Sequence, residues 1–394
     1  MLKIREKKQT AKDIMLAHSK AKVDFYQAYL TRYLSIMSVT KYIESINIFD
    51  VFCGRGEYAD GGLGSPIRAV QTIQQIKQER PSSLKISLYL NDAEKEYVER
   101  VKAYVQEHFA DINSYCTIHY LNMPANDLLN QLCNLLIQTQ KDERNFIFID
   151  PYGYKDIHRD LFQRLMKNGR TEILLFLPIS FMHRFRNYAF NKSANKGALP
   201  LKTFISEFFP ENHPVRNDEE MDVIEYIDML TEAFSINKTY YTTNYFIERD
   251  VHNYFALFFI CKNLLGFEKA VETKWYFDEE AGKGFHQPQK TSQLFLWDDY
   301  EKNEQIQKRK NMLIEKLKAY LSERKRSNAE IYEYTLRLGY KPSHANEVLR
   351  ELQNNKEIKV TMCGTCVDAR KGSFYINYKD AKDPLFPKAY ITLI

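Results

Sequence analysis

The apolar positions of this chain keep two different rhythms. From residue 12 to 45 they recur at three and four, with Phe25, Tyr26, Tyr29, Leu30, Tyr33 and Leu34 on one stripe, a spacing that predicts one or two helices. The rhythm then shortens. "INIFDVFC" (46–53), "LKISLYLN" (84–91), "CTIHYLN" (116–122), "NFIFID" (145–150) and "EILLFLP" (172–178) are β-branched or aromatic runs of strand length. Helical spacing returns between them, near 66–79, 93–108, 125–140 and 157–168. Near-continuous apolar strands alternating with helices predict a parallel sheet covered on both faces, a doubly wound Rossmann-like α/β domain. A loop-rich insertion around 191–216 and an acidic helix near 217–235 come next. Beyond them, "YYTTNYFIE" and "NYFALFFIC" are separated only by "RDVH". That is too short for a parallel crossover, so the sheet is expected to finish in an antiparallel hairpin.

Past about residue 300 the pattern changes again. A basic helix (302–323) precedes "SNAEIYEYTLRLGYKPSHANEVLRELQNNKEIKV". There Ser327 and Glu330 have capping-box spacing, Gly339 can close the helix, and Ser343 after Pro342 can open the next. "EIKVTMC", a "GT" turn and "SFYINY" would form a two-stranded wing. The reading is a C-terminal winged helix-turn-helix, a fold whose second helix enters a DNA major groove in many proteins and docks protein in others. That helix and its end offer Arg350 and Lys356 to nucleic acid, together with His344, Asn346, Gln353 and Asn354 but also Glu347 and Glu351. The basic helix adds Lys308, Arg309 and Lys310. The expected organisation is an N-terminal helical segment (1–45), an α/β domain (46–300) and a winged-helix domain (301–394).

Composition narrows the class without naming it. With 44% hydrophobic and 27% charged residues the chain reads as globular, and a net charge of +5 is too small to identify a nucleic-acid binder by itself. The longest apolar runs are about half of a bilayer span, and the charged N-terminus has no apolar signal core, so a cytoplasmic protein is expected. Six cysteines (53, 116, 133, 261, 363, 366) read as buried thiols of an intracellular protein. Cys363 and Cys366 make a single CxxC with no second pair, and no metal site is expected.

Candidate chemistry collects at the strand ends, where open α/β sheets bind ligands. The first strand runs through Asp50, Phe52 and Cys53 into Gly54-Arg55-Gly56, a turn that lets backbone approach a nucleotide. The following "DGGLGSP" postpones the helix to about Pro66. A pyrophosphate wants that helix N-terminus directly, so the delay argues against a dinucleotide and suits S-adenosylmethionine, which has no phosphate. Asp92, ending the second strand, is placed to accept ribose hydroxyls or to cap the next helix. Asn122 and Asn126 follow the third strand, where an adenine amine could be read, and Asn126 could equally be a surface cap. Arg184 and Arg186, in "HRFRN" after the fifth strand, could guide a phosphate backbone.

"FIFIDPYGYKD" carries the most specific signal. Its Asp150-Pro151-Tyr152-Gly153 resembles the [DNS]-P-P-[YFW] motif of methyltransferases acting on exocyclic base amines, and more closely the Asp-Pro-Phe-Gly of tRNA guanine dimethyltransferases. An exocyclic amine is a weak nucleophile because its lone pair is delocalised. Hydrogen bonds to the Asp150 carboxylate and Pro151 carbonyl would localise and aim that pair, while Tyr152 stacks on the extruded base. The chain has one proline where the amine motif has two.

"HSKAKVDFYQAYL", "FDVFCGRGEYADGGLGSPIRAV", "FIFIDPYG" and "YFALFFICKNLLGFEKAVETKW" occur in the order and spacing of the three-Cys-motif partner (TcmP) proteins, a bacterial methyltransferase-like family. The resemblance runs from about residue 18 to 277, with further similarity in the winged-helix segment. It implies a class I S-adenosylmethionine-dependent fold and a partner protein bearing a three-cysteine motif, and no particular substrate. Two functions follow as expectations: a nucleic-acid base amine methyltransferase, or a non-catalytic adaptor that binds nucleic acid and such a partner.

Overall fold

The computed structural model describes residues 14–394 apart from 192–195, 251, 281, 287–294 and 366, with side chains 295–302 and 305 also outside the description. Within it the chain forms two compact units. The first holds the chain to Tyr240 with Phe246–Lys262 and Phe285–Gln287; the second holds Tyr241–Tyr245, Asn263–Gly284 and the remainder.

The first unit begins with α1 (Ala17–Met37), then alternates β1 (Ser45–Asp50), α2 (Ser65–Glu79), β2 (Lys85–Asn91), α3 (Lys95–His108), β3 (Thr117–Leu121), α4 (Ala125–Leu135), β4 (Glu143–Ile149), α5 (Arg159–Leu165) and β5 (Thr171–Pro178). After α6 (Ile179–Phe185), α7 (Leu199–Phe208), α8 (Pro214–Asn217) and α9 (Val223–Phe234) come β6 (Tyr241–Asp250), whose residues to Tyr245 are counted with the second unit, and β7 (Asn253–Cys261). A short β8 (Gly284–His286) completes an eight-stranded sheet in the order β3-β2-β1-β4-β5-β7-β6-β8. The first five strands pair in parallel and β7 runs antiparallel to β5. This is the doubly wound, hairpin-terminated sheet expected from the sequence. The order reverses between β1 and β4, so their carboxyl ends flank the natural ligand crevice.

One face of the central strands is covered by α1. Its Tyr26 packs 4.6 Å from Phe148, Tyr29 lies 5.6 Å from Phe146 and 4.6 Å from Phe259, and the Tyr29 hydroxyl donates to Glu172 at 2.5 Å. The stripe read as a helix is therefore an aromatic lid on β4, β5 and β7. The other face packs Phe49, Ile147, Ile149, Leu175 and Leu177 against residues of α4 to α9. The stretch around 191–216, expected as loop, contains α7 and α8. Leu201, Phe204, Ile205 and Phe208 have helical spacing and are buried, a signal short enough to be overlooked between polar flanks.

The second unit contains α10 (Leu264–Phe277), α11 (Phe295–Glu323), β9 (Arg326–Ser327), α12 (Asn328–Arg337), α13 (Pro342–Asn354), β10 (Ile358–Met362), α14 (Tyr378–Ala381) and β11 (Ala389–Leu393). Both halves of the Ser327/Glu330 capping box form, and Gly339 closes α12 at φ +80°. Two expectations need correction. Ser343 does not cap α13: Pro342, whose ring presets φ, takes the first helical position and Lys341 is the N-cap. "SFYINY" is not a wing strand, because Tyr375 turns to φ +57° and breaks the extended run. The partner of β10 is instead β11, antiparallel with Ile358 opposite Leu393 and Met362 opposite Ala389. Among the cysteines, 53, 116, 133 and 261 are buried, Cys363 is exposed against expectation, and Cys366 lies outside the described residues. Among the described residues no helix is long and apolar enough to cross a membrane.

Candidate functional site at the ends of the first and fourth strands

Past Asp50 the chain turns under the control of Asn91, the last residue of β2. Its buried side-chain amide donates to the Val51 and Met123 carbonyls at 3.0 and 3.1 Å and accepts from Met123 N at 3.2 Å, while Cys53 N donates to the Asn91 backbone carbonyl at 2.8 Å. One side chain thus ties the exits of β1, β2 and β3 together. Only its position, a polar residue closing an apolar strand, marks it in the sequence.

Gly54 and Gly56 both sit at positive φ, +62° and +78°. A Cβ at Gly56 would also lie 2.8 Å from Val101 Cγ2, whereas one at Gly54 would meet nothing within 4 Å. The residues that follow fold back on themselves. Tyr58 N bonds Gly62 O at 2.8 Å, Glu57 bridges Leu63, and Gly64 N bonds Gly56 O at 2.6 Å. The excursion therefore closes, and the start of α2 returns to the end of β1, where Ser65 Oγ donates to Asp50 Oδ2 at 2.6 Å. The helix is postponed in sequence, and its start is brought back to the strand end by this closed loop.

Asp50 is fully buried. Burial pushes its carboxyl up to about 7, with the Ser65 hydroxyl and Lys22 opposing the rise and Asp150 adding to it. Its Oδ1 has no hydrogen-bond partner. Asp92 is turned toward the glycine turn: Oδ2 accepts from Gly54 N at 3.0 Å and Oδ1 from Glu94 N at 2.9 Å. It fixes the loop and the entry to α3 together.

Asp150 follows β4 directly. Its Oδ2 forms an ion pair with Lys22, a residue of α1, and the Lys22 ammonium also stands 4.7 Å above the Phe176 ring. Nothing in a helical stripe reveals which strand end Lys22 reaches. One helical turn earlier, His18 stacks on Phe255 at 4.8 Å, and burial with nearby Arg249 and Lys22 lowers its imidazole to about 4. Asp150, Pro151 and Tyr152 line one cavity of about 360 Å³ with Phe52, Cys53, Gly54, Arg55, Gly56, Ser65 and Lys22. Gly153 continues that turn, and Tyr152 stands 89% exposed beside it.

The other candidates do not join this cavity. Asn122 Nδ2 is occupied by the Asp92 and Ala93 carbonyls at 2.9 Å. Asn126 bonds Asp156 at 2.7 Å and lines a different, wider hollow of about 610 Å³ with Arg159, Arg164 and Glu207. In that hollow His158 Nδ1 lies 2.9 Å from Glu207 Oε1, and Arg164 pairs with Asp160 at 2.6 Å. Arg184 is exposed, but Arg186 points inward and donates to the carbonyls of His183, Asp218 and Met221 at 2.7, 2.7 and 3.3 Å. In the second unit Lys308, Arg350 and Lys356 are exposed. Arg309 lies 4.9 Å over the Trp275 ring and Lys310 pairs with Glu351 at 2.7 Å. Asn346 and Gln353 are held by backbone, and His344 sits edge-on to Trp275 at 4.3 Å, lowered to about 4 chiefly by burial. No group of three or more potential metal ligands occurs among the described residues.

Residues 286–363 match a family model described as a GMT-like wHTH domain. No curated protein matches the chain in sequence. Similar solved structures include the O-methyltransferase TomG from Streptomyces achromogenes in complex with SAM (12% identity, 62% of this chain and 87% of that one, TM-score 0.32). Others are an O-methyltransferase from Bacillus cereus in complex with SAH (13%, 60% and 80%, 0.32) and a putative rRNA methylase from Clostridium thermocellum (10%, 58% and 93%, 0.27).

Proposed function

We propose that the protein is an S-adenosylmethionine-dependent methyltransferase acting on an exocyclic amine of a nucleic-acid base. The observation that carries this reading is the meeting of Asp150, Pro151 and Tyr152 with the Gly54–Gly56 turn around one cavity at the switch point. The cavity's size lies in the usual range for small-molecule sites, about 300–1,000 Å³. Asp50 stands outside the cavity lining, buried behind Ser65, which lines the cavity and donates to its Oδ2. Gly54, with open space where a Cβ would be, allows close backbone approach, and Asp92 keeps that turn in place. Bound S-adenosylmethionine would supply an electrophilic methyl group on a sulfonium.

The chain's residues would do the rest. Lys22 holds one Asp150 oxygen, leaving the second to accept a hydrogen from the target amine, with the Pro151 carbonyl taking the other. Tyr152, exposed at the mouth, would stack on the base. The methylated amine would then shed one proton, and Asp150 would take it. The winged helix would present the nucleic acid.

The test is calorimetric titration with S-adenosylmethionine and S-adenosylhomocysteine, followed by tritiated methyl transfer to DNA and RNA. Binding, with transfer abolished in Asp150→Ala, supports the enzyme; a folded protein that binds neither compound overturns it. A second reading has its own observation, since the Lys22 ammonium already sits on Asp150 as a substrate amine would. On that reading the chain is a methyltransferase-fold adaptor for nucleic acid and a three-Cys-motif partner, and Asp150→Ala keeps its biological activity.

A further inference from the structure

α6, whose N-cap Pro178 lines the cavity, presents an aromatic strip. Phe181 and Phe185 lie one turn apart with ring centroids 4.7 Å from each other, and they are 51% and 36% exposed. Phe181 also stacks 6.3 Å from Tyr154, which is buried and braced edge-on by Phe204 at 5.8 Å. Tyr154 is two residues from Tyr152 in the same turn, so the strip is anchored to the segment that lines the cavity. Isolated exposed aromatics are ordinary, but adjacent ones on a rigid helix next to a cleft mark a contact surface. α6 itself contains no acidic residue, Arg184 between the two rings in sequence and Lys155 next to Tyr154 are exposed, and the acidic segment near Asp218 and Asp222 meets α6 through His183 and Arg186.

From this arrangement we infer that Phe181 and Phe185 form a stacking track for unpaired bases, so that the nucleic acid engaged at this site is single-stranded. The inference deepens the methyltransferase reading and rests on it for the target base. A duplex hides its base faces and offers this surface only phosphates. A single strand offers π faces to the rings and phosphates to Arg184 and Lys155, the pairing that sequence-tolerant single-strand binders use.

The experiment is fluorescence anisotropy of the full chain with labelled single-stranded, duplex and abasic oligonucleotides of equal length. We expect single strands to bind tighter than abasic ones by about ten-fold or more, and Phe181→Ala/Phe185→Ala to erase that difference. Phe181→Trp/Phe185→Trp should restore it. Equal affinity for abasic and natural strands, or an unchanged affinity in the double alanine variant, overturns the inference. Loss of affinity that the tryptophan variant fails to restore also overturns it, by assigning the rings a packing role. If a peptide-like apolar partner covers the strip instead, the alanine variant leaves oligonucleotide affinity unchanged. Calorimetry with S-adenosylmethionine on the same variants keeps the two readings apart: cofactor binding without a stacking effect removes the track alone, and a stacking effect without cofactor binding removes the methyltransferase alone.

Discussion

Lys22 of α1 and Asp150 after β4 are 128 positions apart in sequence, yet they form an ion pair in which both side chains are largely shielded, at 12% and 21% exposure. The pair fastens the N-terminal helix to the strand end that carries the candidate chemistry. Removing the cation leaves a shielded carboxylate with its partner gone, a change that costs more than the loss of a surface pair. Lys22→Met should therefore lower unfolding free energy by about 1–3 kcal/mol. In a double-mutant cycle with Asp150→Asn, the second substitution should cost less in the Lys22→Met background, as read by urea unfolding.

The two glycines of the turn should separate by mechanism. Gly56→Ala adds a Cβ 2.8 Å from Val101 to a backbone at φ +78° and should destabilise by about 2–4 kcal/mol. Gly54→Ala meets open space and bears only the backbone strain, about 1–2 kcal/mol. Thermal unfolding would rank them, and the reverse order would show that the turn is not packed against α3 as described.

Asp50 gives a pH signature. Its carboxyl keeps its proton in the fold to about 7, against the ordinary 3.8, because of burial. Between those values the unfolded chain binds fewer protons than the native one, so this group's contribution falls as pH rises through the window and is gone above about 7. Asp50→Asn abolishes that titration. Relative to the parent, the variant should gain stability from about pH 4 to about pH 8, by at most roughly 4 kcal/mol at 1.36 kcal/mol per unit. Urea midpoints at both pH values check it, and a pH-independent difference would mean that Asp50 is ionised in the fold.

Arg184 and Arg186 should behave as different kinds of residue. Arg186→Met strips donors from three carbonyls and should cost about 2–4 kcal/mol of stability. Arg184→Ala should leave stability within about 0.5 kcal/mol and reduce the salt slope of nucleic-acid binding by about one. Denaturation and binding isotherms at several salt concentrations distinguish these outcomes.

Much of this molecule was legible in the chain. Strands near 46, 84, 116, 145 and 172, the closing hairpin and the Ser327 capping box rest on local periodicity and turn chemistry, which neighbouring residues determine among themselves. The Asp150 turn was legible for the same reason, because a strand running into Asp-Pro-Tyr-Gly places its carboxylate at the strand end wherever the sheet lies. Partners far apart in sequence depended on the tertiary fold. The pairing of β10 with β11 rather than with "SFYINY" depends on a backbone turn at Tyr375 and on a distant strand that sets Leu393 opposite Ile358. The return of α2 to Asp50 depends on a loop closing on its own backbone, and the inward turn of Arg186 on carbonyls supplied by residues 218 and 221. Lys22 is the clearest case. Its spacing placed it on a helix, but only the packing of Tyr26 and Tyr29 against β4 brought its ammonium to Asp150. Hydrophobic periodicity specifies which face of an element is buried; what that face meets is decided by the burial of the whole core.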